Sequence, residues 1–159
     1  MSFFPENLQK IQKPLNLAIK YLSYQPRTVY EIRQYLRKKD VNEHIAGKII
    51  EYLLEKQYLN DMAFAKLFVE SRVKNRPKSK FAFQYELKKK GICPTIIDDI
   101  LKDYDDEELA LKSLNKKIKT WHNLDDEKFK KKILNYLKYR GFNYDTCISA
   151  LNHFSRSND

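Results

Sequence analysis

The sequence predicts an all-α protein of three tandem three-helix, helix-turn-helix-like repeats. Two observations predict this class. The 159 residues include only 3 glycines and 5 prolines, too few for the many tight turns of an all-β fold. The sequence also matches itself at an interval of about 50 residues, which indicates a structural repeat.

The repeat is clearest where the second helix of each unit is expected to end. Each copy has a leucine, a basic run, a turn residue and then an apolar residue, in segments 36–41, 87–92 and 137–142. The turn residues are Asp40, Gly91 and Gly141. Glycine, and less readily Asp, adopts the left-handed conformation that ends a helix. We therefore expect a left-handed residue after each second helix.

Apolar spacing and capping residues predict the other helices. Third helices show the i, i+1, i+4, i+5 pattern of one helical face, as in Ile45, Ala46, Ile49 and Ile50. In the first helices, Leu17, Phe68 and Ile118 are expected to correspond. The candidate N-caps are Thr28, Asn42, Asn60 or Asp61, Ser79, Thr95 and Asn143.

These signals divide the chain into five segments. They are an N-terminal extension at 1–13, repeats at 14–58, 59–104 and 105–154, and a flexible tail at 155–159.

The amino-acid composition narrows the range of possible partners and cellular locations. With 31 Lys and Arg against 21 Asp and Glu, the formal charge is +10, which favours nucleic acid or acidic protein surfaces as partners. No apolar stretch reaches the roughly 20 residues that cross a membrane. Only Cys93 and Cys147 are present, too few for a disulfide framework. We expect a soluble, cytoplasmic monomer that does not bind membranes.

No constellation of catalytic residues is apparent. His44, His122 and His153 fall in different repeats, and no nucleophile motif or glycine-rich phosphate loop is present. The acidic runs at 105–108 and 125–127 are typical of helix starts, where carboxylates offset the dipole, rather than of metal sites. We therefore predict a binding protein that is not an enzyme and needs no cofactor or metal.

The best candidates for a partner or DNA interface are basic residues of the middle repeat. The candidate set is Arg72, Lys74, Arg76, Lys78, Lys80, Tyr85, Lys88, Lys89 and Lys90. Lysines 88–90 could equally offset a helix dipole. Between 72 and 80 the charge continues through a turn, where no single dipole explains it, so binding to phosphates or an acidic surface is favoured.

An aromatic stripe accompanies this charge. Phe81 and Tyr85 are expected opposite the core residues Phe83 and Leu87, and Tyr30 occupies the matching position in the first repeat. Such rings either bind bases or a protein partner, or pack on the neighbouring repeat.

Several segments resemble the RecX family. They are 18–36 (AIKYLSYQPRTVYEIRQYL), Leu59-Asn60-Asp61 followed by Phe64-Ala65, and 86–92 (ELKKKGI), and the likeness runs from the first repeat to the third. One departure is the turn 76–79, where relatives often have glycine.

The resemblance implies that the three repeats form an elongated, curved array. It also implies a regulator that docks in the groove of a RecA filament on DNA and represses its recombinase and co-protease activities. DNA, single- or double-stranded, would be contacted without sequence preference. The alternative is a stand-alone helix-turn-helix DNA-binding regulator, because three-helix units with a basic helix commonly read a major groove.

Overall fold

The computed structural model describes residues 8–157, and over this range the chain forms nine α-helices, one 3₁₀ turn and no strand. The first repeat contains α1 (Leu8–Tyr24), α2 (Val29–Lys38) and α3 (Glu43–Glu55). The second contains α4 (Asp61–Asn75), α5 (Lys80–Lys89) and α6 (Pro94–Leu101). The third contains α7 (Asp106–Asn115), the 3₁₀ turn Ile118–Thr120, α8 (Asp126–Tyr139) and α9 (Tyr144–Ser157). The predicted all-α repeat architecture is confirmed.

Most helices begin where the capping residues predict. The side chains of Thr28, Asn42, Asn60 and Ser79 each accept a hydrogen bond from a backbone N–H in the first turn of the helix that follows. Asn143 likewise accepts from the Thr146 N–H at 2.8 Å.

The prediction of Thr95 as an N-cap is wrong. Helix α6 begins at Pro94, two residues earlier than a Thr95 cap would place its start, and its cap Cys93 makes no side-chain hydrogen bond. Proline suits this position because its fixed φ is helical and the N–H it lacks would have no intrahelical partner.

The predicted left-handed residues are confirmed. Asp40, Gly91 and Gly141 have φ of 60°, 79° and 90°. In each case the next residue donates its N–H to the carbonyl of the repeat leucine, as Ile92 does to Leu87 at 3.1 Å. This 6→1 bond closes the last helical turn.

The buried side chains form two clusters. One belongs to the first repeat and extends from Ile11 to Leu59. The other runs from Ala65 to Leu151 and is shared by the second and third repeats. Helix α1 begins at Leu8, inside the predicted N-terminal extension, because burial of Ile11 anchors this earlier turn. Helix α9 continues to Ser157, into the segment predicted as a tail.

The first two repeats meet at a polar joint. The hydroxyl of Thr28, fully buried, donates to the Lys90 carbonyl at 2.6 Å, and the Val29 N–H donates to Asp61 Oδ1 at 3.0 Å. The Tyr30 side chain packs over Gly91 so closely that a Cβ there would clash with it. Burial raises the pKa of Asp61, and the Val29 N–H partly opposes this shift. The start of α2 is thus seated on the end of α5.

A similar joint lies between the second and third repeats. Ser79 donates its N–H to the Arg140 carbonyl at 3.1 Å, and the Lys80 N–H donates to Asp106 Oδ1 at 2.8 Å. A Cβ on Gly141 would lie 2.6 Å from Ser79 Oγ. Both glycines are therefore required by the adjoining repeat as well as by their own positive φ.

The third repeat departs from the pattern in its first two helices. Helix α8 has 14 residues, whereas α2 and α5 have 10 each. Helix α7 ends at Asn115, so the prediction that Ile118 lies in a first helix is wrong, because Ile118 starts the 3₁₀ turn. The interval of about 50 residues aligns the second helices of the repeats but not the first helix of the third repeat. Helix α8 has an additional turn at its N-terminal end, and this turn changes the distance along the chain between α7 and the aligned residues.

Candidate partner interface

The basic residues predicted to bind a partner lie on α4, on α5 and on the turn between them. Lys74, Arg76 and Lys88 are exposed, and none of them makes an ion pair within residues 8–157. Lys80 is half-buried, and its backbone N–H takes part in the joint with the third repeat. These four side chains keep their charge available to an external group.

Other predicted residues are paired internally. Glu86, the acid among these basic residues, lies 3.6 Å from Arg72 Nε and 2.7 Å from Lys78 Nζ. Across the joint, Lys90 Nζ lies 3.9 Å from a Glu31 carboxylate oxygen. Because opposite charges held this close offset one another, the middle repeat offers less free positive charge than the sequence predicts.

An apolar patch lies beside these ion pairs. The rings of Phe64 and Phe68 stack with centroids 6.1 Å apart, and Leu67 between them is 63% exposed. The Arg72 guanidinium lies 4.6 Å from the Phe68 centroid, and Lys90 Nζ lies 5.8 Å from it. We call these five residues the Phe68 patch. Apolar side chains rimmed by cations are typical of protein-binding hot spots.

Two shallow depressions flank the Phe68 patch. One, of about 280 Å³, is shared with Gln25 and Pro26 of the first repeat. The other, of about 350 Å³, is shared with Glu31, Glu86 and Lys89. Phe68 and Lys90 line both, so the patch occupies the junction between the first two repeats.

The sequence left open whether the aromatic stripe packs on a neighbouring repeat or binds a partner, and its residues differ in this respect. Tyr30 packs on Gly91 and so belongs to the joint. Phe81 and Tyr85 are 69% and 58% exposed, and Lys89 Nζ lies 5.2 Å from the Tyr85 centroid. The two exposed rings are available to a partner.

Sequence reasoning missed a second aromatic and basic region, in the third repeat. Trp121 packs edge-on against Tyr136 with centroids 5.4 Å apart, next to the lysine-rich face of α8. The run 128–132 (KFKKK) was the available signal. The extra turn that places it beside Trp121 is not apparent from the repeat pattern.

Three further features of the described part of the chain concern metals, membranes and cysteines. Residues 8–157 contain no cluster of three or more His, Cys, Asp or Glu able to hold a metal, and no helix among them is long and apolar enough to span a bilayer. Cys93 is exposed and Cys147 buried, both as free thiols, and burial raises the pKa of the Cys147 thiol.

Fold and surface together define a helical-repeat protein with exposed aromatic and basic surfaces. Domain models for the first, second and third three-helix domains of RecX match residues 15–53, 60–101 and 105–151. The chain belongs to the RecX family.

Curated relatives agree with this assignment. Regulatory protein RecX of Lactobacillus johnsonii is 34% identical over 149 residues, covering 88% of this chain and 55% of the relative. Regulatory protein RecX of Bacillus cytotoxicus is 32% identical over 154 residues, covering 95% and 57%. The chain therefore spans about half the length of the curated relatives it matches.

Solved structures share the fold. The crystal structure of RecX from Lactobacillus salivarius matches with a TM-score of 0.78 and 29% identity, covering 92% of this chain and 97% of the other. A second crystal structure, of a regulatory protein RecX, matches with a TM-score of 0.72 and 26% identity, covering 90% and 72%.

Proposed function

We propose that this chain regulates RecA recombinase by docking on the RecA–DNA filament in the cytoplasm. It would act as a monomer, by binding and without catalysis. Inhibition of filament growth, of recombinase activity and of co-protease activity is the expected outcome, which places the protein in DNA repair, recombination and the SOS response. Membership of the RecX family supports the choice of partner.

The Phe68 patch is the observation that carries the proposal. Its exposed leucine and stacked phenylalanines offer apolar surface to a protein partner, while Arg72 and Lys90 favour an acidic rim on that partner. The exposed leucine has a charged counterpart in the third repeat, because the residue seventh in α4 is Leu67 and the residue seventh in α7 is Lys112. The middle repeat is thus specialised at this position.

The exposed cations around the patch support an additional contact with DNA inside the filament. Lys74, Arg76 and Lys88 make no ion pair within residues 8–157 and can approach phosphates. Such contacts are independent of sequence and weaken with added salt.

The test measures ATP hydrolysis by RecA on single-stranded DNA as this protein is added at moderate salt. We expect inhibition, and we expect the triple charge reversal Lys74→Glu, Arg76→Glu and Lys88→Glu to raise the half-inhibitory concentration about tenfold or more. Reversal of the exposed pair Lys116 and Lys117 is the control. Unchanged hydrolysis at saturating wild-type protein would contradict the proposal.

A stand-alone helix-turn-helix regulator is the second candidate, favoured by the three-helix repeats themselves. It requires a preferred DNA sequence. Competition of a selected duplex against random duplex, in the absence of RecA, separates the two candidates: tight, site-specific binding would favour the second.

A further inference from the structure

The third repeat carries a surface that the proposed RecA interface does not use. A depression of about 500 Å³ lies between the 3₁₀ turn and α8. Its lining residues are Trp121, Leu124, Lys128, Lys131, Lys132, Asn135, Tyr136 and Tyr139. We call it the α8 depression. Its volume is within the range of small-ligand sites.

One face of α8 supplies most of this lining. Residues 128, 131, 132, 135 and 139 follow helical spacing, and the core residues Ile133 and Leu137 lie on the opposite side. From the first lysine to Tyr139 the face extends about 16 Å along the helix axis. The length suits an extended chain rather than a compact ion.

The charge on this face is not neutralised by the protein. Lys128, Lys131 and Lys132 are exposed, and none makes an ion pair among the residues that the structure describes. The nearby Asp125 accepts the backbone N–H of Lys128 at 2.9 Å, as the N-cap of α8. No acid lines the depression, so the face attracts an anion.

The aromatic residues form a floor and a free edge. Tyr136 is held from two sides: its hydroxyl donates to the Ser113 carbonyl at 3.1 Å, and the Arg140 guanidinium lies 4.4 Å from its ring. Trp121 packs edge-on against it. Tyr139 is 93% exposed and makes no such contact with another ring among the described residues. It is therefore free to stack on an incoming planar group.

We propose that the α8 depression binds single-stranded nucleic acid. Bases would stack on Trp121 and Tyr139, and phosphates would pair with the three lysines. Stacking platforms interleaved with cations are the common design for binding single strands without sequence preference. The free Tyr139 ring beside Trp121 favours this ligand over an acidic peptide, because every base offers a planar face that can stack on it and a carboxylate side chain offers none.

The lone tryptophan makes the test specific to this site. The chain has 1 Trp, so intrinsic fluorescence reports on the α8 depression and not on the middle repeat. We would titrate the full chain with a 20-nucleotide oligo-dT at low salt. We expect quenching, with an affinity that falls about 20-fold between 50 and 200 mM salt if three phosphates are neutralised.

Three variants separate charge from stacking and from general effects. Lys131→Glu with Lys132→Glu should weaken binding at least about tenfold. Tyr139→Ala should weaken it about fivefold or more, because it removes one stacking platform. Lys116→Glu with Lys117→Glu, two exposed lysines outside the depression, should leave the affinity within about twofold of wild type on the same principle of local phosphate contact.

Several outcomes would overturn the proposal. Absence of quenching at low salt would do so. Equal affinity for polyglutamate would indicate that the site binds an acidic peptide, and equal affinity for a 20-base-pair duplex would exclude base stacking. If the Lys116/Lys117 control lost as much affinity as the Lys131/Lys132 variant, the binding would depend on net charge and not on this site. Because no RecA is present, failure here leaves the RecA proposal standing, and failure of RecA inhibition leaves this one standing.

Discussion

Gly91 and Gly47 differ in what surrounds them. Gly47 lies within α3 with nothing near the position of a Cβ, whereas Gly91 has a φ of 79° and lies under Tyr30. Asp40 holds the equivalent position in the first repeat, where its side chain is exposed. A side chain is therefore tolerated at this turn only where no neighbouring repeat packs on it.

Substitution of these glycines tests the joint at the residue scale. Gly91→Ala should lower the free energy of unfolding by about 2 kcal/mol or more, because a left-handed alanine is strained and its Cβ clashes with Tyr30. Gly47→Ala should raise it by about 0.5–1 kcal/mol, as expected for an unobstructed helical site. Urea denaturation measures both, and equal effects would contradict the packing described for Gly91.

Thr28 shows how one capping residue serves two elements. Its hydroxyl accepts the Glu31 N–H at 3.1 Å to cap α2, and donates to the Lys90 carbonyl at the end of α5. Asn42 caps α3 in the same manner, at 2.9 Å, but is exposed and has only this local role. Helix start and repeat docking are therefore coupled at Thr28.

The two caps provide a matched comparison at the element scale. Asn42→Ala should cost about 1 kcal/mol of unfolding free energy. Thr28→Ala should cost about 2 kcal/mol or more, since it also leaves a carbonyl at the joint without its partner. Both are measured by urea denaturation. Equal costs would indicate that the Thr28–Lys90 bond adds no stability.

Local signals made most elements predictable. Capping residues at 28, 42, 60 and 79 and the left-handed turns depend on chemistry within a few residues, and sequence contains that chemistry directly. The failure at Thr95 is also local: Pro94 outweighs a threonine cap. Ile118 was misplaced because the register of one helix was extended to another of different length.

The candidate site was less predictable, because charge alone does not show pairing. The basic run suggested free cations at Arg72, Lys78 and Lys90, but Glu86 and Glu31 meet them through tertiary contacts. Glu31 belongs to a different repeat from Lys90, so no local pattern reveals that pair. The apolar part of the Phe68 patch was also missed, because helical spacing alone does not show that Leu67 is exposed and that Phe64 and Phe68 are only partly buried.

At the scale of the whole molecule, the joint between the first two repeats differs from the joint between the second and third, because no common hydrophobic core crosses it. The hydrophobic core is continuous across the second and third repeats but separate in the first. Hydrogen bonds, Gly91 and the Lys90–Glu31 pair connect the two parts. The Phe68 patch lies at this junction, so a partner bound there would contact both parts together.

Two surfaces would carry the two proposed activities. The Phe68 patch would dock on RecA, with the cations around it reaching DNA inside the filament, and the α8 depression would hold free single-stranded nucleic acid. Their residues lie in different repeats and share no member. Substitutions in one surface are therefore expected to leave the other intact, in line with the additivity of distant sites.

Affinity for a preassembled RecA filament on single-stranded DNA tests the central claim most directly. Labelled wild-type protein, Leu67→Asp and Leu54→Asp would be compared by co-sedimentation, because both leucines are exposed helical residues, at 63% and 44%, and receive the same charge. We expect Leu67→Asp to weaken binding about 30-fold or more, as for a hot-spot residue. Leu54→Asp should bind like wild type. Equal binding by all three proteins would contradict docking through the Phe68 patch.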